Sequence, residues 1–129
     1  MRKLLPILLS ALMFTGCAAT NNSQTNTYRQ IAMDEAVDMM AQESGYIILD
    51  VRRADEFAAG HIPGAINVAN ESIGTDEIPE LPDKKQLFMV YCRSGRRSKE
   101  AAEKLVKLGY TNIVEFGGIL DWKSATVAS

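Results

Sequence analysis

The sequence predicts an α/β layer fold with a mostly parallel sheet, and three observations carry that reading. Short apolar runs rich in β-branched residues recur at 46–51, 65–68, 87–91 and 112–116. Segments with apolar side chains at helical spacing lie between them, and glycine or proline punctuates the junctions. Nearly continuous apolar strands that alternate with helices are the signature of a parallel sheet buried under its crossover connections.

The 129 residues, 47% hydrophobic and 23% charged, suit a single domain. Residues 1–16 are not expected to belong to its core. Arg2 and Lys3 precede an apolar run, interrupted by Pro6, that ends in Thr15 and Gly16, which is the layout of a signal peptide. The run is about 11 residues long, short of the roughly 20 a bilayer-spanning helix needs. Without residues 1–16 two of the 14 basic residues are lost and none of the 16 acidic ones, leaving a net charge of −4. That balance argues against a nucleic-acid partner.

Phe14-Thr15-Gly16-Cys17 resembles the lipobox of bacterial lipoproteins, although that family prefers Leu where Phe14 stands. The resemblance implies that Cys17 carries diacylglycerol and becomes the first residue of an exported, membrane-anchored chain. Ala18 follows it in place of the Asp that retains many lipoproteins in the inner membrane. In a Gram-negative cell this implies the outer membrane, facing the periplasm, and in a Gram-positive cell the cytoplasmic membrane. The competing reading is a free or disulfide-bonded Cys17 beside an ordinary cleavage site. Residues 17–27 are then a lipidated cysteine and a tether without large apolar side chains, reaching about 18 Å.

The domain is expected over 28–129. A helix is predicted over 33–42 from the spacing of Ala36, Val37, Met39 and Met40, and Gly45 ends it. The run 46–51 reads as a strand buried on both faces, with Asp50 near its carboxyl end. A short helix over 54–59 and the turn Gly60-His61-Ile62-Pro63-Gly64 lead to a strand at 65–68. Residues 70–85 read as loop. The strand 87–91 precedes a helix from Arg97 or Ser98 to Leu108, with Ala101, Ala102, Leu105 and Val106 inward and Gly109 as its stop. A strand at 112–116, a Gly117-Gly118 turn and a closing helix that includes Trp122 complete the domain.

Cys92 falls between a strand and a helix, where an open α/β sheet places its ligands. Arg93, Ser94, Gly95, Arg96, Arg97 and Ser98 follow it. Their backbone N–H groups can curl around the sulfur, with Gly95 free to take a positive φ, and three arginines add positive charge. Both effects favour thiolate over thiol, and the thiolate is the nucleophile. A lone thiol in an exported protein calls for a chemical use, because such compartments oxidise cysteines. The bland alternatives are a buried structural cysteine and a solvated basic cluster.

Tyr91-Cys92-Arg93-Ser94-Gly95-Arg96-Arg97-Ser98 resembles the active-site loop of rhodanese-like sulfurtransferases. Asp50-Val51-Arg52, Glu56-Phe57 and Gly60-His61-Ile62-Pro63-Gly64-Ala65-Ile66-Asn67 resemble a second hallmark of that family, and Gly117-Gly118 before Trp122 a third. The resemblance spans about residues 28–125. It implies a rhodanese-like fold, with a mostly parallel five-stranded sheet flanked by helices on both faces. It also implies a ping-pong reaction through a Cys92 persulfide, in which a thiosulfate or polysulfide donor gives sulfane sulfur to a thiophilic or protein-thiol acceptor. By the same analogy Arg93 and Arg96 attract the anionic donor, with Arg52 a further candidate and Arg97 a structural one. Asp50 is read as orienting Arg52 or holding the loop, and His61 as ordering its turn in preference to acting as a base. No cofactor or metal is expected, because one His and one available Cys fall short of the ligands zinc takes. A monomer is expected.

Two other functions compete. A phosphatase or arsenate reductase of this fold needs five residues between its Cys and Arg, whereas Arg97 follows Cys92 after four. A persulfide carrier or redox partner without fast turnover would keep the same loop and differ in its acceptor.

Overall fold

The computed structural model describes residues 27–129, so the signal-peptide, Cys17 and most of the tether expectations lie outside the described residues. Five strands pair in parallel in the order β1-β5-β4-β2-β3. The elements are β1 (Arg29–Gln30), α1 (Met33–Gln42), β2 (Tyr46–Asp50), α2 (Ala54–Ala59), β3 (Ile66–Asn67), β4 (Leu87–Cys92), α3 (Arg96–Lys107) and β5 (Ile113–Gly118). Single 3₁₀ turns occupy Asn70–Ser72 and Ile119–Asp121.

The side-chain alternation of the central strands builds two cores, one on each face of the sheet. Leu49 of β2, Phe88, Val90 and Cys92 of β4 and Ile113 of β5 pack with Ala101, Ala102 and Leu105 of α3. Ile48, Met89, Tyr91 and Phe116 point the other way, against Ala36 and Met40 of α1 and Phe57 of α2. Helices thus cover both faces, and Cys92 belongs to the face that α3 covers.

Several boundaries differ from the sequence expectation. The fifth strand, β1, is a polar, exposed dipeptide on the sheet edge, and it carries no apolar signal. Within the run 46–51, Tyr46 and Ile47 are half-buried and Ile48 to Val51 are buried. The expected Gly117-Gly118 turn is the end of β5. The closing helix around Trp122 is absent: a 3₁₀ turn, Ile119–Asp121, stands there, and the Trp122 indole N–H donates to the Ala125 carbonyl at 3.1 Å. The chain cannot coil further because its tail is drawn out into backbone bonds between His61 and Val127, 2.8 and 2.9 Å. Among the described residues no helix is long and apolar enough to cross a membrane.

β4 and β5 run in register as far as Val90 opposite Glu115, and then Cys92 faces Gly118. Two residues on β4 therefore oppose three on β5, a bulge that bends the edge of the sheet beside Cys92. Gly117, at φ 97°, takes the backbone conformation that the extra residue requires.

Candidate active site

β4 delivers Cys92 to the sheet's carboxyl edge, and α3 begins four residues later, so the sulfur stands close in sequence to the amino end of a helix, which carries unpaired N–H groups and the positive end of the dipole. Gly95 adopts φ 114° and ψ −15° as the residue before the helix, which turns its N–H toward Cys92 Sγ at 3.0 Å. The side chain of Cys92 is 1% exposed.

Two contacts hold this loop against the rest of the fold. A Cβ on Gly118 would lie 2.0 Å from the Arg93 carbonyl oxygen, so only glycine lets β5 pass there. The same carbonyl accepts from the Leu120 N–H at 3.2 Å. On the other side, the Glu56 carboxylate accepts from Arg97 at 2.7 and 3.2 Å and from the Arg53 N–H at 3.1 Å. Glu56 thereby caps the start of α2 and fixes the first turn of α3 to it. Arg97 thus has a structural partner, and the residue that provides it was legible only as part of a resembling segment.

Above the loop lies a cleft of about 340 Å³ lined by Arg53, Glu71, Arg93, Ser94, Arg96 and Arg97. Arg53 pairs with Asp55, Arg96 with Glu100 and Arg97 with Glu56. Arg93 makes no ion pair among the described residues, so its charge is the one left to meet an incoming anion.

Arg52 does not line this cleft. Its guanidinium grips the Asp50 carboxylate at 2.8–3.1 Å and the Gly60 carbonyl at 2.7 Å, and its side chain is 7% exposed. Arg53, one residue on, points into the cleft instead. The Tyr91 hydroxyl donates to the same carboxylate at 2.7 Å and accepts from the Ile62 N–H at 3.1 Å. Burial first, and then the Asp50 carboxylate, push the Tyr91 phenol upward. Asp50 and Arg52 therefore tie β2, β4 and the turn after α2 together. His61 stacks on Phe57 at 3.7 Å, with its Nδ1 2.8 Å from the Phe57 carbonyl oxygen.

Ser98 turns inward. Its Oγ lies 3.5 Å from Cys92 Sγ and 2.5 Å from Oε2 of Glu115, a fully buried carboxylate that sequence reasoning passed over. The one signal for it was a charged residue inside the apolar run 112–116. Among the described residues no group of three or more His, Cys, Asp or Glu side chains converges as a metal site.

A family model for the rhodanese-like domain matches residues 32–125. The chain belongs to the rhodanese-like domain family. This rhodanese-like domain is 36% identical over 73 residues to the thiosulfate sulfurtransferase PspE of Escherichia coli (strain K12), covering 57% of this chain and 70% of that protein. It is 31% identical over 98 residues to the thiosulfate sulfurtransferase GlpE of Pseudomonas entomophila (strain L48), covering 75% and 86%. A solved rhodanese with anions from E. coli matches with a TM-score of 0.59 at 32% identity, over 65% of this chain and 99% of that one. At the level of the family these relatives support sulfurtransferase chemistry.

The Glu56–Arg97 clamp has a pH signature. The hydrogen bond from Arg97, followed by the N–H of Arg53 and the nearby arginine charges, holds the Glu56 carboxyl down at about 2 against an ordinary 4.5, despite partial burial. A carboxyl lowered on folding contributes stability above its unfolded value and loses it as pH falls through the folded one. Glu56→Gln should thus cost about 1.5–3 kcal/mol at neutral pH. That gap should narrow below about 4.5 and close near 2 when denaturant unfolding is followed across pH. A gap that stays constant with pH would mean the pair contributes no charge-dependent stability.

Proposed function

We propose that this domain moves sulfane sulfur from an anionic donor such as thiosulfate or polysulfide to a thiophilic or protein-thiol acceptor through a persulfide on Cys92. The observation that carries the proposal is a buried cysteine sulfur that receives a backbone N–H at 3.0 Å beneath an arginine-lined cleft. Cys92 thiolate attacks the outer sulfur of thiosulfate, the donor's S–S bond breaks, and sulfite leaves with the bonding pair. Arg93 attracts the donor and offsets charge on the departing sulfite. The acceptor then attacks the outer sulfur of the persulfide, and Cys92 leaves as thiolate. Cyanide as acceptor yields thiocyanate. The four residues between Cys92 and Arg97 make a loop one residue shorter than an oxyanion-binding phosphatase loop, which favours sulfur over phosphate.

Incubation with thiosulfate should add about 32 Da, one sulfur atom, to the intact mass, and cyanide should remove it as thiocyanate. Cys92→Ala should show neither, and Arg93→Ala should raise KM for thiosulfate about tenfold, the loss of one exposed charge-assisted contact. Absence of the adduct with both thiosulfate and polysulfide would sink the sulfurtransferase reading.

We further propose that the domain works from a membrane surface, as an exported monomer anchored by diacylglycerol on Cys17, with residues 1–16 removed. The basic start, the apolar run and Phe14-Thr15-Gly16-Cys17 support this. The full chain expressed in a bacterium should take up labelled fatty acid and partition into detergent, and Cys17→Ser should abolish both. Equal labelling of the two would rule out the anchor.

A further inference from the structure

The 3₁₀ turn Asn70–Ser72, which the sequence presents as plain loop, is fastened on both sides. The Asn70 N–H donates to the Val51 carbonyl at 2.9 Å, just past β2, and Ile73 enters the core beside it. The buried Asn70 side chain donates to Glu100 Oε1 at 2.9 Å and accepts from Lys104 Nζ at 3.1 Å, both on α3. Glu100 gives its other oxygen to Arg96 at 3.0 Å, on the rim of the cleft. Glu71 is thus carried by a turn locked to β2 and α3, and its exposed side chain lines the cleft over the Cys92 loop.

Glu71 makes no ion pair or hydrogen bond among the described residues, whereas Arg53, Arg96 and Arg97 each pair with a carboxylate. The cleft therefore holds one unpaired cation, Arg93, and one unpaired anion, Glu71. The Arg97 guanidinium is raised first by its hydrogen bond to Glu56 and also by Cys92 and Glu71, so the Glu71 charge is felt within the Cys92 loop. A carboxylate held in place at the side of a cleft draws an ammonium group in and turns a second anion away.

We propose that Glu71 is a specificity-determining residue that sorts sulfur acceptors by charge, favouring a thiol that bears an ammonium group over one that bears a carboxylate. The inference rests on the Cys92 persulfide reading and names the class of acceptor within it. The acceptor's thiolate attacks the outer sulfur, a new S–S bond forms, the bond to Cys92 Sγ breaks, and Cys92 keeps that electron pair as thiolate. The acceptor leaves as a persulfide. Its remaining charged group has to lie among the side chains of the cleft while the sulfurs meet, and there Glu71 acts on it. Arg93 thereby serves the anionic donor in the first half of the reaction, and Glu71 serves the acceptor in the second. The same carboxylate weakens the hold on a doubly anionic donor, which Arg93 offsets.

The domain is loaded with thiosulfate, freed of excess donor, and followed by intact mass as it loses about 32 Da, one sulfur atom, to cysteamine, 2-mercaptoethanol or 3-mercaptopropionate. These thiols share one spacer and differ in the terminal group. Each rate is taken as the ratio of variant to wild type, so that the intrinsic reactivity of the thiol cancels. Glu71→Gln should slow cysteamine about threefold and speed 3-mercaptopropionate about threefold, with 2-mercaptoethanol unchanged, and Glu71→Lys should move both further. Glu43→Gln removes the same charge just beyond α1, on the opposite face of the sheet, and should move none of the three. Ratios that stay level in both Glu71 variants, or that shift as much in Glu43→Gln, overturn the assignment and leave the persulfide standing. A domain that takes up no sulfur from thiosulfate or polysulfide overturns the persulfide reading itself, before any thiol is added.

Discussion

A nucleophilic sulfur that is 1% exposed has to be met by donors, because a buried charge without partners is expensive. Backbone supplies them here. Gly95 turns its N–H onto Sγ, and α3 starts at the next residue, which brings the positive end of its dipole to this loop. Everything else near the loop maintains that arrangement. The β5 bulge sets Gly118 opposite Cys92, the missing Cβ of Gly118 lets β5 lie against the Arg93 carbonyl, and Glu56 ties the first turn of α3 to α2. A side chain at Gly118 or a slip of α3 would displace the N–H groups and not the sulfur.

Charge is divided by depth. At the surface Arg53, Arg93, Arg96 and Arg97 surround the cleft, and all except Arg93 are paired with carboxylates. The cluster is thus a nearly neutralised rim with one available cation, in place of the three that composition suggests. Below the sulfur, the Asp50–Arg52–Tyr91 cluster closes its own charges and serves the sheet. Glu115 pairs with no cation among the described residues, and its Oε2 accepts from the Ser98 hydroxyl and the Gly117 N–H.

Much of this was legible in the sequence. Apolar runs located four of the five strands, and the Gly- and Arg-containing segment after 87–91 marked Cys92. Three features were not legible, each for a physical reason. β1 is a polar dipeptide whose strand character comes wholly from pairing with β5. Arg52 and Arg53 are neighbours, and which one faces the cleft depends on Asp50 and the Gly60 carbonyl capturing the first. The segment around Trp122 has the composition of a helix, but the His61–Val127 pairing stretches the chain beyond it. Glu115 was visible as a charge within an apolar run, yet its partner lies 17 residues away and is joined to it only by folding.

The most direct test of the central claim is a crystal structure of the domain after treatment with thiosulfate. The account predicts a second sulfur bonded to Cys92 Sγ, enclosed by the loop from Arg93 to Gly95, accepting its N–H groups and lying beneath the Arg93 guanidinium. An unmodified Sγ in protein that has gained one sulfur by mass, or a loop that opens to leave the outer sulfur outside the N–H groups, would contradict it.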